Sequence, residues 1–284
     1  MRKVSLAIFL LTLVACQQNG GEPSAQNELE LVWSDEFDYS GAPDSEKWSF
    51  DLGNGCPTLC GWGNNEKQTY AKSLDNARVK DGSLFITARR TKVDSVDSYS
   101  SARLVTKNKG DWKYGLIEVS AKLPTGTGTW PAIWMLPTNW SYGGWPKSGE
   151  IDIMEHVGYD PGNVHGTVHT EAFNHIKGTQ RGDSTYVEAA SEEFHNYAIK
   201  WTPEFIEFIV DGEVYNRFEN NQTGPDAWPF DQPFHLILNI AVGGNWGGKH
   251  GIDHDIWPQQ MEIDYVRVYR IPELTATSNN LNNQ

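Results

Sequence analysis

Residues 115–123 read GLIEVSAKL, and apolar and polar side chains alternate along this segment with a period of two. Ile117, Val119 and Leu123 share one side of an extended chain, and Glu118 and Lys122 share the other. The alternation predicts a β-strand with one face in a hydrophobic core and the other outside it. A fold built from such strands needs two layers, because the apolar face of a single sheet has to be covered.

The same alternation recurs on both sides of this segment. The further predicted strands are residues 83–89, 196–201, 205–210, 213–218, 234–242 and 261–269. Asp211 and Gly212 lie between two of these strands, and this pair is typical of a two-residue β-hairpin. No segment carries a sustained helical stripe, and no strand–helix–strand alternation is present. The pattern predicts an all-β fold, an antiparallel β-sandwich or jelly roll, with residues 29–272 as one domain.

The first 28 residues are typical of a targeting segment followed by a tether. Arg2 and Lys3 precede a mostly apolar run at residues 4–14, which predicts a secretory signal peptide at residues 1–15. Residues 13–16, LVAC, resemble the bacterial lipobox, in which Cys16 is acylated; the alternative is an ordinary signal peptide with an incidental cysteine. Residues 16–28 would form a lipidated, flexible tether, and residues 273–284 a disordered tail. We expect an exported lipoprotein, anchored by lipid alone on the periplasmic or outer face of the bacterial envelope.

Composition excludes several classes of protein. The chain has 284 residues, with 23 lysines and arginines against 37 aspartates and glutamates, and this net charge of −14 argues against a nucleic-acid partner. Three cysteines are too few for a disulfide scaffold. No run of about 18 apolar residues is present, so no segment is expected to span a membrane. We expect a monomer, and the 27 glycines and 12 tryptophans indicate a turn-rich, aromatic protein rather than a helical bundle.

Residues 149–158, GEIDIMEHVG, predict a strand that carries three acidic side chains. Glu150 and Asp152 alternate with isoleucines and share one face, whereas Glu155 has the opposite parity. One extra residue in the strand, a β-bulge at Ile153 and Met154, would turn Glu155 back to the acidic face. We therefore predict three carboxylates side by side on a short stretch of sheet.

Three interpretations of this acidic face are open from the pattern alone. It can be a solvated polar face, a calcium or magnesium site, or the carboxylate pair of a glycoside hydrolase, in which one group attacks the anomeric carbon and another protonates the leaving oxygen. The apolar, aromatic residues 130–136 just before it argue against a solvated face. Adjacent like charges push pKa values apart, as an acid and a nucleophile require, and the surplus of tryptophan favours a sugar ligand.

Residues 149–158 resemble the active-site strand of glycoside hydrolase family 16, whose pattern is E-x-D-x-E or E-x-D-x-x-E. The resemblance covers the whole domain, through residues 32–37, 61–66, 130–137, 243–246 and 261–269, and is strongest to bacterial laminarinases. It implies a jelly roll with a concave substrate cleft and an endo-β-1,3-glucanase that retains anomeric configuration without a catalytic cofactor. Glu150 would be the nucleophile and Glu155 the general acid/base, with Asp152 tuning Glu150.

The resemblance also implies aromatic and histidine contacts for a β-glucan chain. Trp130, Trp134 and Trp246 would be platforms for sugar rings, although tryptophan in a sandwich is often simply core. His169 matches a histidine that family members place beside the catalytic carboxylates. We expect it to donate or accept a hydrogen bond in the active site.

Four further polar residues divide into binding and structural positions. Asn64 and Arg103 match positions on the glycone side of the cleft in laminarinases, although Arg103 can equally form a surface ion pair. His156 and His165 are interpreted as structural.

A structural cation and a disulfide are also expected. The family carries a cation, usually calcium, on the convex side, and Glu36, Gly82 and Asp264 match its ligand positions, with backbone carbonyls providing much of the coordination. Cys56 and Cys60 flank three residues in one loop, and an exported protein with this spacing can close a disulfide there.

Other functions remain as alternatives. A non-catalytic glucan-binding lectin is disfavoured because all three carboxylates are present, and a structural or adhesive surface protein is a further possibility. A hydrolase of mixed-linkage glucan, agar, carrageenan or xyloglucan would keep the enzyme class and change the substrate. Family members acting on mixed-linkage glucan carry the shorter E-x-D-x-E form, so the longer form here favours β-1,3-glucan.

Overall fold

The computed structural model describes residues 29–93 and 96–272. The predicted signal peptide, the tether with the lipidation site Cys16, and the C-terminal tail lie outside these residues. The described chain forms strands β1 (Glu30–Asp35), β2 (Ser49–Phe50), β3 (Gln68–Tyr70), β4 (Ala77–Lys80), β5 (Ser83–Val93), β6 (Val96–Ser101), β7 (Arg103–Val105), β8 (Asp111–Trp112), β9 (Gly115–Lys122), β10 (Thr129–Pro137), β11 (Glu150–His156), β12 (Asn163–His169), β13 (Arg181–Tyr186), β14 (His195–Trp201), β15 (Phe205–Val210), β16 (Glu213–Glu219), β17 (Phe234–Val242) and β18 (Gln259–Arg270), with a short 3₁₀ helix at Cys60–Gly63. No helix within the described ranges is long and apolar enough to cross a membrane.

The strands form two sheets, as predicted for a sandwich. The ten-stranded sheet has the order β16-β15-β14-β9-β18-β5-β6-β3, with β1 beside β18 and β4 beside β5. The eight-stranded sheet has the order β13-β12-β11-β10-β17-β7-β2, with β8 beside β17. The pairing is antiparallel as predicted, apart from β3 and β6 at one edge of the ten-stranded sheet, which are parallel.

The strands predicted from alternation are all present, with ends shifted by a few residues. β9 begins at Gly115 and alternates as expected, since Ile117 and Val119 are fully buried. Asp211 and Gly212 join β15 to β16 with φ values of 49° and 84°. A left-handed conformation at both positions matches the right-handed twist of the flanking strands, which is why this dipeptide forms a tight hairpin.

Both faces of strand β17 are buried. Leu236, Leu238 and Ile240 point into the core between the sheets. The intervening Ile237 and Asn239 point to the opposite face and are also buried, at 0% and 5% exposure. Since both faces of this strand are covered, the outer face of the eight-stranded sheet is not an ordinary solvated surface.

Candidate active site

The three predicted carboxylates lie on the outer face of the eight-stranded sheet, which we call the catalytic face. Strand β11 positions them, between β10 on one side and β12 on the other. Ile151 and Ile153 of the same strand belong to the core. Glu150, Asp152 and Glu155 pair across to His169, Thr167 and His165 of β12.

The predicted β-bulge is confirmed by the register of β11. Asp152 pairs with Thr167 and Glu155 with His165, so two residues, Ile153 and Met154, stand opposite one. Both are buried, at 1% and 0% exposure, so two consecutive side chains enter the core and Glu155 returns to the catalytic face.

The residue opposite the bulge, Gly166, has no room for a side chain. A Cβ at this position would lie 2.3 Å from the Tyr215 hydroxyl and 2.5 Å from the Phe208 ring. The glycine therefore lets the ten-stranded sheet pack close behind the bulge.

Each glutamate accepts a hydrogen bond from an indole. Trp145 Nε1–H donates to Glu150 Oε2 at 3.0 Å, and Trp130 Nε1–H donates to Glu155 Oε1 at 2.9 Å. An indole N–H has one proton and a fixed direction, so it restricts the carboxylate that accepts it. Each glutamate keeps its second oxygen free of these two indoles.

Asp152 and His169 lie beside the nucleophile position. His169 Nε2 is 3.4 Å from Asp152 Oδ2 and 3.8 Å from Glu150 Oε1. Burial lowers the pKa of His169 to about 4, so its ring is neutral at neutral pH. The predicted place of His169 next to the carboxylates agrees with the structure.

Burial and mutual repulsion govern the charge of the acidic cluster. Desolvation raises the pKa of Glu150, Asp152 and Glu155, and Glu155 raises that of Glu150 further. The Arg103 guanidinium acts in the opposite direction on Glu150. The three groups therefore share protons at neutral pH and are not all ionised, and the pKa shifts alone do not distinguish the acid from the nucleophile.

The floor of the catalytic face contains Trp134 and Arg103. Trp134 pairs across to Asp152, and its Nε1–H donates to Asn239 Oδ1 at 2.7 Å. The Arg103 guanidinium carbon lies 4.7 Å from the Trp134 ring and 4.5 Å from the ring of Trp62. Arg103 is therefore a buried part of the catalytic face, and it also forms an ion pair with Asp51, with Nε 3.0 Å from Oδ2.

An aromatic wall stands at the Glu155 end of β11. The rings of Trp130 and Trp246 meet edge to face with centroids 5.6 Å apart, and the His165 ring meets Trp246 at 5.0 Å. His165, interpreted from the sequence as structural, shares the catalytic face with Glu155, and its ring packs against Trp246. His156 is 2% exposed and accepts a hydrogen bond from Gly162 N–H at 3.3 Å, which fits a structural role.

The sequence patterns predict no role for some residues of the site. Trp145 lies in the loop before β11 and has no periodic pattern that would indicate its contact with Glu150. Glu66 lies beside Asn64 and raises the pKa of Glu155; it accepts a hydrogen bond from Gln68 Nε2 at 2.5 Å. Both Glu66 and Trp62 belong to the motif at residues 61–66, which is the signal that could have identified them.

The predicted cation ligands and the cysteines lie apart from the catalytic strand. Glu36, Gly82 and Asp264 line one surface depression of about 500 Å³. The Glu36 carboxylate is bound by Arg267, at 3.1 Å to Nε and 2.7 Å to Nη2. Cys56 and Cys60 are joined by a disulfide.

A metal centre at the catalytic face uses the same atoms as hydrolysis. Ligand atoms of Glu150, Asp152 and His169 lie within 4.8 Å of one another. A cation bound there would occupy the carboxylate oxygens that a nucleophile needs, so the two interpretations exclude each other at this site.

Comparison with known proteins distinguishes these interpretations. The model of glycosyl hydrolases family 16 matches residues 64–267. The chain is 55% identical over 273 residues to a β-glucanase of Rhodothermus marinus, covering 93% of each protein. It resembles the X-ray structure of the laminarinase from Rhodothermus marinus with a TM-score of 0.82 and 55% identity, over 86% of this chain and 98% of that chain. A non-specific endo-β-1,3(4)-glucanase from family GH16 has a TM-score of 0.80 at 46% identity, over 87% of this chain and 96% of its own. Two glutamates lie on the same face of one bulged strand, and the family model and these relatives match the chain. The chain therefore belongs to glycosyl hydrolases family 16.

Proposed function

We propose that this protein is an endo-acting β-1,3-glucanase that hydrolyses β-glucan with retention of anomeric configuration. The observation that carries the proposal is the bulge at Ile153 and Met154, which places Glu150 and Glu155 on one face of β11. Each is oriented by its own indole N–H. Two oriented carboxyl groups in a partly desolvated site are what a retaining glycosidase requires.

The chemistry follows from the environment of each group. Glu150, held by Trp145 and beside the positive charge of Arg103, attacks the anomeric carbon as a carboxylate. Glu155, whose pKa is raised by burial, protonates the leaving oxygen and then accepts a proton from the water that cleaves the glycosyl-enzyme. His169 is neutral and adds no charge beside Glu150.

The substrate assignment rests on relatives and on the form of the strand. The similar proteins are a β-glucanase, a laminarinase and a non-specific endo-β-1,3(4)-glucanase. The last of these favours one second candidate, hydrolysis of mixed-linkage glucan in addition to β-1,3-glucan. The bulged E-x-D-x-x-E strand supports β-1,3-glucan as the main substrate.

Product analysis on laminarin, lichenan, agarose and carrageenan tests the proposal. We expect internal cleavage of laminarin, with slower release from lichenan and none from the galactans. NMR of the first product tests retention, since the new reducing end should appear as the β-anomer. Glu150→Gln should bind glucan, keep its fold and lose activity by orders of magnitude. Action on agarose alone, or binding of laminarin without release of reducing sugar by the unmodified protein, would overturn the assignment.

We further propose that the protein is an exported lipoprotein anchored through Cys16, and a monomer in its catalytic domain. The basis is the targeting segment at residues 1–15 and the LVAC sequence at residues 13–16. Expression in a bacterial host should yield membrane-associated, acylated protein, and Cys16→Ser should move it to the soluble fraction. An identical distribution of the two proteins would contradict the anchor.

A structural calcium ion at Glu36, Gly82 and Asp264 is a separate proposal. The Asp264 carboxylate has no partner among the described residues, and Gly82 has open space around its Cα. Since Arg267 binds the Glu36 side chain, Glu36 would contribute through its backbone carbonyl. Removal of calcium by a chelator should lower the Tm and leave the chemistry at Glu150 intact; an unchanged Tm would count against an occupied site.

A further inference from the structure

Arg103 lies between two indoles at the glycone end of the catalytic face. Its guanidinium carbon is 4.5 Å from the Trp62 ring and 4.7 Å from the Trp134 ring, and Nε lies 3.0 Å from Asp51 Oδ2. The residue is 8% exposed. A planar cation stacked on both faces has little freedom to turn or tilt.

The two indoles come from elements of very different rigidity. Trp134 belongs to β10 in the middle of the sheet and is hydrogen-bonded to Asn239. Trp62 belongs to the short 3₁₀ helix that begins at Cys60, one of the two cysteines of the disulfide. The sheet therefore supplies one half of the stack, and an irregular loop supplies the other.

The loop that carries Trp62 is closed by local contacts. In addition to the disulfide, Gly61 N–H donates to the Asn54 carbonyl at 2.8 Å, and Trp62 Nε1–H donates to the Gly53 carbonyl at 3.3 Å. Trp62 has φ 53°, in the left-handed region that favours glycine. A tryptophan keeps this conformation only where its surroundings hold it there.

We propose that the disulfide-closed loop, residues 53–63, is a positioning element: it holds Trp62 over Arg103 and thereby keeps the Arg103 guanidinium on Trp134, which pairs across to Asp152 beside the nucleophile Glu150. Trp62 is on this view a positioning residue that acts through Arg103. The inference rests on the proposed role of Glu150 as nucleophile and extends it to a residue outside the catalytic strand.

Among the charged and titratable groups around Glu150, Arg103 is the one that favours the ionised carboxylate. Asp152 and Glu155 on β11 oppose its ionisation, and His169 on β12 is neutral at neutral pH because burial lowers its pKa. His175, which contacts Trp145 and His169, has a pKa that burial lowers. Arg103 on β7 is a permanent cation, and Asp51 is its ion-pair partner at 3.0 Å. If Arg103 moves, the pKa of Glu150 rises, and the carboxylate needed for attack forms only at higher pH.

A double-mutant cycle between Trp62 and Arg103 tests the proposal. We expect Trp62→Ala to lower kcat/KM on laminarin by roughly 3- to 30-fold, the range of one desolvated cation–π contact. The acidic limb of the pH profile of kcat/KM should move up by roughly half a pH unit in Trp62→Ala. In the Arg103→Ala background, Trp62→Ala should lower kcat/KM by less than about twofold. Trp62→Phe should restore most of the activity and the wild-type pH profile, because it keeps a ring over the guanidinium.

Leu74→Ala is the control, since Leu74 is a leucine outside residues 53–63 and is 57% exposed. It should leave kcat/KM and the pH profile unchanged. Opening the disulfide in Cys56→Ser/Cys60→Ser should shift the acidic limb in the same direction as Trp62→Ala. If Arg103→Ala does not fold, Arg103→Lys replaces it in the cycle.

The inference would be overturned if Trp62→Ala lowered kcat/KM equally with and without Arg103, or if the acidic limb of the pH profile did not move. The pKa of the Glu150 carboxyl can also be compared between the wild type and Trp62→Ala without measuring activity. The carboxyl titration can be followed by ¹³C NMR and assigned with Glu150→Gln, and its pKa should be higher in Trp62→Ala than in the wild type. Failure of the wild type to cleave laminarin would therefore count against the proposed function, whereas an unmoved Glu150 titration would count against the positioning role.

Discussion

Replacing Glu155 with glutamine should abolish turnover and at the same time stabilise the folded protein at neutral pH. Burial raises the pKa of Glu155 to about 7 from 4.5, with a further contribution from Glu66. Between these values the unfolded chain has released the proton and the folded protein still binds it, so the carboxyl lowers stability as pH rises from about 4.5 to about 7. Glutamine does not titrate, has nearly the same shape, and keeps an oxygen for the Trp130 indole.

The size of the effect follows from the shift. A change from 4.5 to about 7 is 2.5 pH units, and at about 1.36 kcal/mol per unit this sets an upper limit of roughly 3.4 kcal/mol. Because Glu155 shares its titration with Glu150, part of the shift belongs to the pair, and we expect a gain of roughly 1–2 kcal/mol at pH 7.5. For a domain of this size that corresponds to an increase in Tm of about 2–8 °C.

Thermal unfolding followed by circular dichroism from pH 4 to pH 8 measures this difference. Glu155→Gln is compared with the wild type and with Glu193→Gln, which changes an exposed glutamate. The Tm gain of Glu155→Gln should be near zero at pH 4, grow to about pH 7 and then level off, while the control should show no such trend. A gain that is constant with pH, or a loss of stability at pH 7.5, would refute the assignment of a desolvated, proton-binding Glu155.

Three further predictions concern the bulge and the nucleophile. Trp145→Phe removes the hydrogen bond to Glu150 and should lower kcat by about 10- to 100-fold, with the acidic limb of the pH profile at higher pH because that bond lowers the pKa of Glu150; an unchanged limb would contradict it. Gly166→Ala should lower the free energy of unfolding by about 2–4 kcal/mol in denaturant titrations, since the new methyl group meets Phe208 and Tyr215; a neutral effect would show that the sheets separate easily. Deleting Met154 should remove most activity by misplacing Glu155, and a folded deletion variant that hydrolysed laminarin at the parent rate would show the bulge argument to be mistaken.

The strands and the bulge follow from the amino-acid sequence alone. Side-chain direction in a strand is a local property with a period of two, so GLIEVSAKL predicts β9 without knowledge of its neighbours. The same parity shows that Glu155 cannot join Glu150 and Asp152 unless one residue is added near Met154. The register of β11 confirms this step.

The side chains that surround the carboxylates are known only from the folded arrangement of the strands and loops. Parity places His165 on one face of β12, but whether that face is structural, solvated or catalytic depends on pairing with Glu155 and contact with Trp246. Trp145 reaches Glu150 from a loop, where no period indicates direction.

Arg103 shows the limit most clearly. Its stack joins Trp62, Arg103 and Trp134, which come from a loop, β7 and β10. They meet because β17 places β10 and β7 on its two sides. Sheet order is set by the summed packing of the whole core, and alternation along any one strand contains no information about which strand lies beside it.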